Sequence, residues 1–355
     1  MNPDPTVAFL LERGGPAIRY RALAELCEGV PPDELAQAAR ELHESPLAQR
    51  WLARLRPDDR FNALHGADPA AFENVIGKLA QLGCRAGMPA LDAGTAFFRD
   101  WLAQAREAGW SWRPFLQRLV GGLLAAAGYE DDPAVGAYLR RRLAILADFC
   151  RRGDYDIYVD RSDYKGIPAG FKDTPLVNPA LYPDGDILLP MIHDMHGLAH
   201  YPDALRDGAT QAQINAVVDY VLDPRYQALR DGYGLMQAGP RRYYALGWSV
   251  HLHGYQGMKT LSERPYLFVQ RVALMAHFPT ARAHRWLAES LAHLESFCTP
   301  RGTYLFPRVY LPERTSGYWV AGAYMGFEEN RRSNLALELE STFWMALIKR
   351  LGACN

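Results

Sequence analysis

At 355 residues the chain exceeds an ordinary single domain and needs either two cores or one large closed architecture. Its 39 basic and 40 acidic residues leave a formal charge of −1 with no Lys/Arg block, which argues against a nucleic acid partner. Cys27, Cys84, Cys150, Cys298 and Cys354 are scattered singly without a CxxC, which fits a reducing compartment, and no apolar run reaches the ~18 residues a membrane span needs. The expectation is a cytoplasmic protein without stable membrane insertion.

From Thr6 to Arg152 the segments AIRYRALAEL, DELAQAARELHE, AAFENVIGKLAQLG, TAFFRDWLAQAREAG, PFLQRLVGGLLAAAG and AVGAYLRRRLAILADFC repeat apolar residues every three or four positions, which predicts helices. Gly- and Pro-rich turns punctuate them, as in EGVPPDE and GYEDDP. Residues 153–190 break this rhythm: they are rich in Asp, Pro, Gly and Tyr and read as a long loop. Helices resume with MIHDMHGLAHY, QAQINAVVDYVL, RRYYALGWSVHLHGY, RPYLFVQRVALMAHF and ARAHRWLAESLAHLESFC. A second aromatic-rich loop, 299–332, precedes the closing helix NLALELESTFWMALIKRLG.

Sequential helix pairs with no short repeat point to an all-α fold, a closed α/α toroid formed by residues 1–355 as one domain. Both long loops are then expected over the mouth of its central cavity, with no sheet larger than a hairpin.

VAFLLERGGPAIRYRALAEL, SPLAQRWLARL and FNALHGADPAAFENVIGKLAQLGCRAGMPAL together resemble the opening of bacterial proteins related to the prenyltransferase and squalene–hopene cyclase superfamily. The resemblance covers about the first quarter of the chain and implies the toroid more than an activity. The D-x-D-D acid motif of the class II cyclases is absent, since this chain offers only DGD at Asp184–Asp186 and EDDP at Glu130–Pro133.

The densest polar cluster is MIHDMHGLAHYPD, where His193, His196 and His200 stand at i, i+3 and i+7 and share a face if the helix runs through them. Asp194 lies between them. A carboxyl beside an imidazole in an apolar cavity can deliver or accept a proton, so Asp194, His193, His196 and His200 are the candidate catalytic residues. The bland alternative is a buried polar seam. No metal is expected: His196 and His200 have i+4 spacing, but neither a third ligand nor an H-E-x-x-H pattern accompanies them.

Trp248, His251, His253 and Tyr255 are candidate substrate-binding residues because aromatic faces stabilise cations and stack on sugar rings. Tyr164 from the first loop joins them, with Tyr318, Trp319 and Glu328 from the second; aromatic residues in long loops are costly to leave in water. An apolar wall of Trp248, Tyr255 and Trp319 is expected to hold the Asp194 carboxyl pKa up.

Three functions fit this inventory. The first is acid/base-assisted cyclisation, isomerisation or elimination on a hydrophobic small molecule, without a cofactor. The second is a carbohydrate-active hydrolase, lyase or epimerase, for which paired carboxylates and aromatics serve equally. The third is a non-catalytic helical scaffold. A closed apolar pocket favours the first reading and an open groove with several carboxylates the second.

Overall fold

A computed structural model describes residues 4–104 and 109–353. The chain divides into two compact units, one comprising 1–98, 126–129 and 253–355, the other 99–125 and 130–252.

In the first unit the chain runs through α1 (Pro5–Arg13), α2 (Pro16–Leu26), α3 (Pro32–Glu44), α4 (Pro46–Leu52), α5 (Phe61–Leu64) and α6 (Phe72–Leu82). Helix α7 (Pro89–Ala103) begins there. The second unit carries α8 (Arg113–Leu124), α9 (Pro133–Arg151), β1 (Tyr158–Val159), β2 (Leu176–Val177) and α10 (Ile192–Ala199). It continues through α11 (Gly208–Leu222), α12 (Pro224–Gln227), β3 (Gly234–Gly239) and β4 (Arg242–Leu246). The chain then returns to the first unit for α13 (Phe268–Met275), α14 (Pro279–Arg282), α15 (Arg285–Glu295) and α16 (Asn334–Ala353).

Many helices start by one device: an oxygen-bearing side chain caps the first N–H groups while the next residue, a proline, supplies a preset φ. Asp4–Pro5, Ser45–Pro46, Asp132–Pro133 and Asp223–Pro224 all do this, with Asp132 Oδ1 accepting from the Ala134 N–H at 2.9 Å. In the first unit α16 packs on α1, α2 and α13, and α4 packs on α6. Every residue of α6 is buried, including Glu73, Asn74, Lys78 and Gln81. A helix with four buried polar side chains must find partners for them: residues 65–68 supply those of Glu73 and of the Asn74 amide N–H groups, and the second long loop bonds Asn74 Oδ1, Lys78 and Gln81.

The second unit holds a four-stranded sheet in the order β1-β2-β3-β4, with β2 and β3 parallel and the outer pairs antiparallel. This sheet overturns the all-α closed toroid: the chain is mostly helical, but a mixed sheet occupies the segments expected to be loop and helix. The 153–190 loop supplies β1 and β2, and its Tyr164, Ile167 and Phe171 pack on a small core of Leu176, Leu235 and Tyr243. RRYYALGWSVHLHGY is not a helix: its Arg242–Leu246 stretch is the outgoing arm of a hairpin and the rest is irregular. Gly239 and Pro240 break helix propagation, and Arg241, at φ 57, takes the left-handed turn position between the strands.

Helices α8, α9 and α10 pack on one another within the same unit, and α11 packs on α9. The approach of α8 to α10 is unusually close: a Cβ added to Gly122 would come 2.2 Å from the His193 carbonyl oxygen, so only glycine fits there. None of the described helices is long and apolar enough to cross a membrane.

Candidate functional site

The residues singled out in the sequence are divided between the two units. Asp194, His193, His196, His200, Trp248, His251 and Tyr164 lie in the second, and His253, Tyr255, Tyr318, Trp319 and Glu328 in the first. The expected wall of Trp248, Tyr255 and Trp319 is thus split, Trp248 belonging to one unit and the other two to the other.

Asp194 sits at the third position of α10, where its Oδ2 accepts the Met191 N–H at 2.8 Å. Its side chain is fully buried between two guanidinium groups, with Arg142 Nε 2.8 Å and Arg118 Nε 3.3 Å from Oδ1. Asp186 stands 3.6 Å from Arg142 and 3.8 Å from Arg118, completing a cluster of two cations and two anions. Burial pushes the Asp194 carboxyl up, but the charges of Arg118 and Arg142, the hydrogen bonds from Arg142 and that from the Met191 N–H outweigh it and leave the pKa lowered. The expectation of a carboxyl held protonated by apolar walls is therefore corrected: Asp194 is an ionised partner of two buried arginines.

His193 is fully buried, its ring edge-on to Phe115 at 6.0 Å and to Trp248 at 5.9 Å. His196 is also buried. The helix ends at Ala199, so His200 does not stack on the same face; its Nδ1 donates to the His196 carbonyl at 2.9 Å as a C-terminal cap. Trp248 adopts φ 71, uncommon for a bulky side chain, and its carbonyl receives the Ile192 N–H that opens α10. His251 is fixed by Ser249 Oγ at 2.8 Å on Nδ1 and by the Leu229 carbonyl at 2.8 Å on Nε2. Tyr164 serves the sheet core.

In the first unit the 299–332 loop lies on α6. Trp319 is buried, taking Asn74 Oδ1 with its backbone N–H at 2.7 Å and Gln81 Oε1 with its indole N–H at 2.9 Å. A Cβ at Gly77 would meet its ring at 2.3 Å. Tyr318 stacks on His65 with centroids 5.1 Å apart, and His65 Nδ1 is 2.8 Å from the fully buried Glu73. Tyr255 stacks on His284, and the His253 carbonyl accepts from Trp286 Nε1 at 2.9 Å.

Glu328 belongs to a different setting. It lines a cavity of about 360 Å3 with Leu47, Arg50, Lys78, Glu313 and Arg331. Its Oε1 accepts the Gly15 N–H at 2.8 Å, at the N-terminus of α2, and Gly15 admits it because any Cβ would lie 2.9 Å from Oε2. Burial raises the Glu328 pKa; the Gly15 hydrogen bond works against this, and the nearby charges of Glu340 and Glu329 add to it.

Lys78 and Arg331, two of the cavity's other charges, are committed. Lys78, fully buried, donates to Glu313 at 3.1 Å, to the Tyr324 carbonyl at 2.9 Å and to the Gly326 carbonyl. With all three ammonium protons used it acts as a fixed positive charge, not as a base. Burial, only partly offset by Glu313, lowers its pKa. Arg331 grips the buried Glu340, which also accepts the Phe327 N–H at 2.8 Å.

Arg118, Arg142, Lys78, Glu73 and Glu340 were not singled out in the sequence. Their one signal was position: each is a charged residue at a core-facing register of an otherwise apolar helix, as in ENVIGKLAQL and AVGAYLRRRLAIL. Among the described residues no group of three or more His, Cys, Asp and Glu side chains is placed to hold a metal ion. No family model matches this chain, and neither a curated protein nor a solved structure matches it.

Proposed function

We propose that the chain is an acid/base enzyme of the hydrolase, lyase or epimerase kind, acting on a polar, hydroxyl-bearing small molecule in the first unit's cavity. Glu328 is its proton donor. The observation that carries the reading is the Glu328 carboxyl at the wall of an open, charged cavity, with its pKa raised by burial and by neighbouring carboxylates. A carboxyl tuned toward neutrality is what general acid catalysis near pH 7 needs. Lys78 supplies a fixed positive charge at the same wall and Glu313 a second carboxylate. A lining of this kind favours a sugar-like substrate over an isoprenoid one.

Glu328→Gln keeps the shape and an oxygen for the Gly15 N–H while removing the titrating proton. A carboxyl whose folded pKa lies above its unfolded value weakens the fold once pH rises above both, so this variant is expected to melt at the same temperature as wild type or higher near pH 7. Its turnover should fall by about 100-fold or more on any substrate found in a panel of nitrophenyl glycosides and uronic acid oligosaccharides. Full turnover in the variant removes Glu328 from the mechanism. A thermal shift of the wild type by farnesol and by no sugar of the panel sinks the polar-substrate reading.

A further inference from the structure

We infer that the molecule taken by the first unit's cavity carries a carboxylate, as a uronic acid residue does, and that Arg50 and Arg332 bind it. The inference rests on the reading of that cavity as the catalytic site and adds the class of sugar it takes. Arg50 and Arg332 line the same cavity as Glu328. Both are exposed, and neither has an ion-pair partner among the described residues. A lone surface arginine is usually just solvated. Two of them on one cavity, beside a half-buried carboxyl, are a match for the planar, two-oxygen geometry of a carboxylate.

The backbone that presents each arginine is fixed before any ligand enters. Arg50 follows Leu47 by three positions on α4, so the two share a face, and Leu47 is buried while also lining the cavity. Arg332 follows the residue that anchors its segment: Arg331 grips the buried Glu340, and its Nη2 donates to the Leu311 carbonyl at 2.6 Å. Arg308 Nη1 donates to the Arg331 carbonyl at 2.9 Å, and the Arg332 N–H donates to Asn330 Oδ1 at 3.2 Å. A segment tied at this many points loses little freedom on binding, and only the two guanidinium stems remain to be ordered.

The charge balance of the lining selects a single negative charge. Lys78 is paired with Glu313, and Arg331 with Glu340, so these cations are neutralised within the wall. Glu328, held toward its neutral form by burial, adds little negative charge. Arg50, Arg332 and the exposed Glu329 remain, two cations against one anion. One positive charge in excess suits a monoanionic carboxylate, whereas a phosphate monoester would bring close to two negative charges beside Glu329. A neutral sugar would leave both guanidinium groups to water and gain nothing from them.

The test uses the full chain with methyl glucuronoside and methyl glucoside, which differ only in the carboxylate, and glucose 6-phosphate as the phosphorylated alternative, all titrated by calorimetry and ligand-observed NMR. The glucuronoside is expected to bind saturably with a Kd of about 1–10 mM, at least about tenfold more tightly than the glucoside, and the preference should shrink about threefold when salt rises from about 0.05 to 0.5 M. Arg50→Gln and Arg332→Gln should each reduce the preference to about threefold or less, whereas Arg40→Gln, exposed on α3, should leave it intact. Equal binding of glucuronoside and glucoside, tighter binding of glucose 6-phosphate, or no saturable response to the glucuronoside up to about 100 mM overturns the proposal, and all three are read on the wild-type chain. These measurements need no turnover, so they separate from the role of Glu328. A neutral glycoside cleaved in a Glu328-dependent way without any preference for the glucuronoside sinks the substrate class alone, while full turnover in Glu328→Gln with the preference retained sinks the acid and leaves the carboxylate site standing.

Discussion

Asp194→Ala is expected to lower the free energy of unfolding by about 3–5 kcal/mol, because it strands two buried guanidinium groups. Arg142 and Arg118 lie 2.8 and 3.3 Å from the Asp194 carboxylate, and Asp186, 3.6 and 3.8 Å away, is too far to replace it. Asp194→Asn should cost nearly as much, since an amide keeps the shape but neutralises neither arginine. Equilibrium urea denaturation measures this directly, and an Asn variant within about 0.5 kcal/mol of wild type would dissolve the argument.

The same carboxyl sets an acid limit. Its folded pKa lies below the ordinary value of 3.8, so the stability it contributes is complete above that value and is lost as pH falls through the folded one. Wild type should lose stability steeply below about pH 4, and the Asn variant, already without this term, should show a flatter profile there.

Lys78→Met should be nearly as damaging, at about 2–4 kcal/mol, though for a different reason. Methionine matches the stem's volume but leaves the Tyr324 and Gly326 carbonyls and one Glu313 oxygen without the ammonium that gathers them. The loss should be local before it is global, with hydrogen exchange accelerating across 313–328 while α11 and α9 in the second unit stay protected. Lys78→Arg should not restore the wild type, because a planar guanidinium cannot aim three donors at so compact a set of acceptors. Unchanged exchange in 313–328 in the Met variant would show that the loop is held by its apolar contacts with α6 instead.

Much of the helical content could be read from periodicity, since α3, α9, α11 and α15 each follow three- and four-residue apolar spacing closely. The sheet could not. β1 and β2 are two residues long, too short for alternation to register, and β3–β4 join through a bulge between Gln237 and Gly239 that disrupts the period. Tyr243 and Tyr244 were strand-formers read as helix because apolar residues continue beyond them without a polar break. The histidine cluster was conspicuous in sequence, yet what surrounds Asp194 comes from Arg118 and Arg142, 76 and 52 positions away, and no local pattern reports pairings of that range. Glu328 could be noticed as a loop carboxylate; its anchor on Gly15 spans 313 positions and was equally hidden.

The second unit occupies residues 99–252 apart from 126–129, while the first is assembled from chain on both sides of it. On the ribosome this nesting sets an order of events. α1 and α2 emerge first, but α16, which packs on both, is translated only after the whole second unit. At about 5–20 residues per second that delay is on the order of 15–60 s, long beside the folding time of a small helical domain. The inner unit can therefore be complete while the outer one still presents unfinished apolar faces to solvent. Chaperone demand during synthesis should fall on the first ninety residues, and a pause or truncation before Asn334 would release a nascent chain with a finished inner unit and an open outer one.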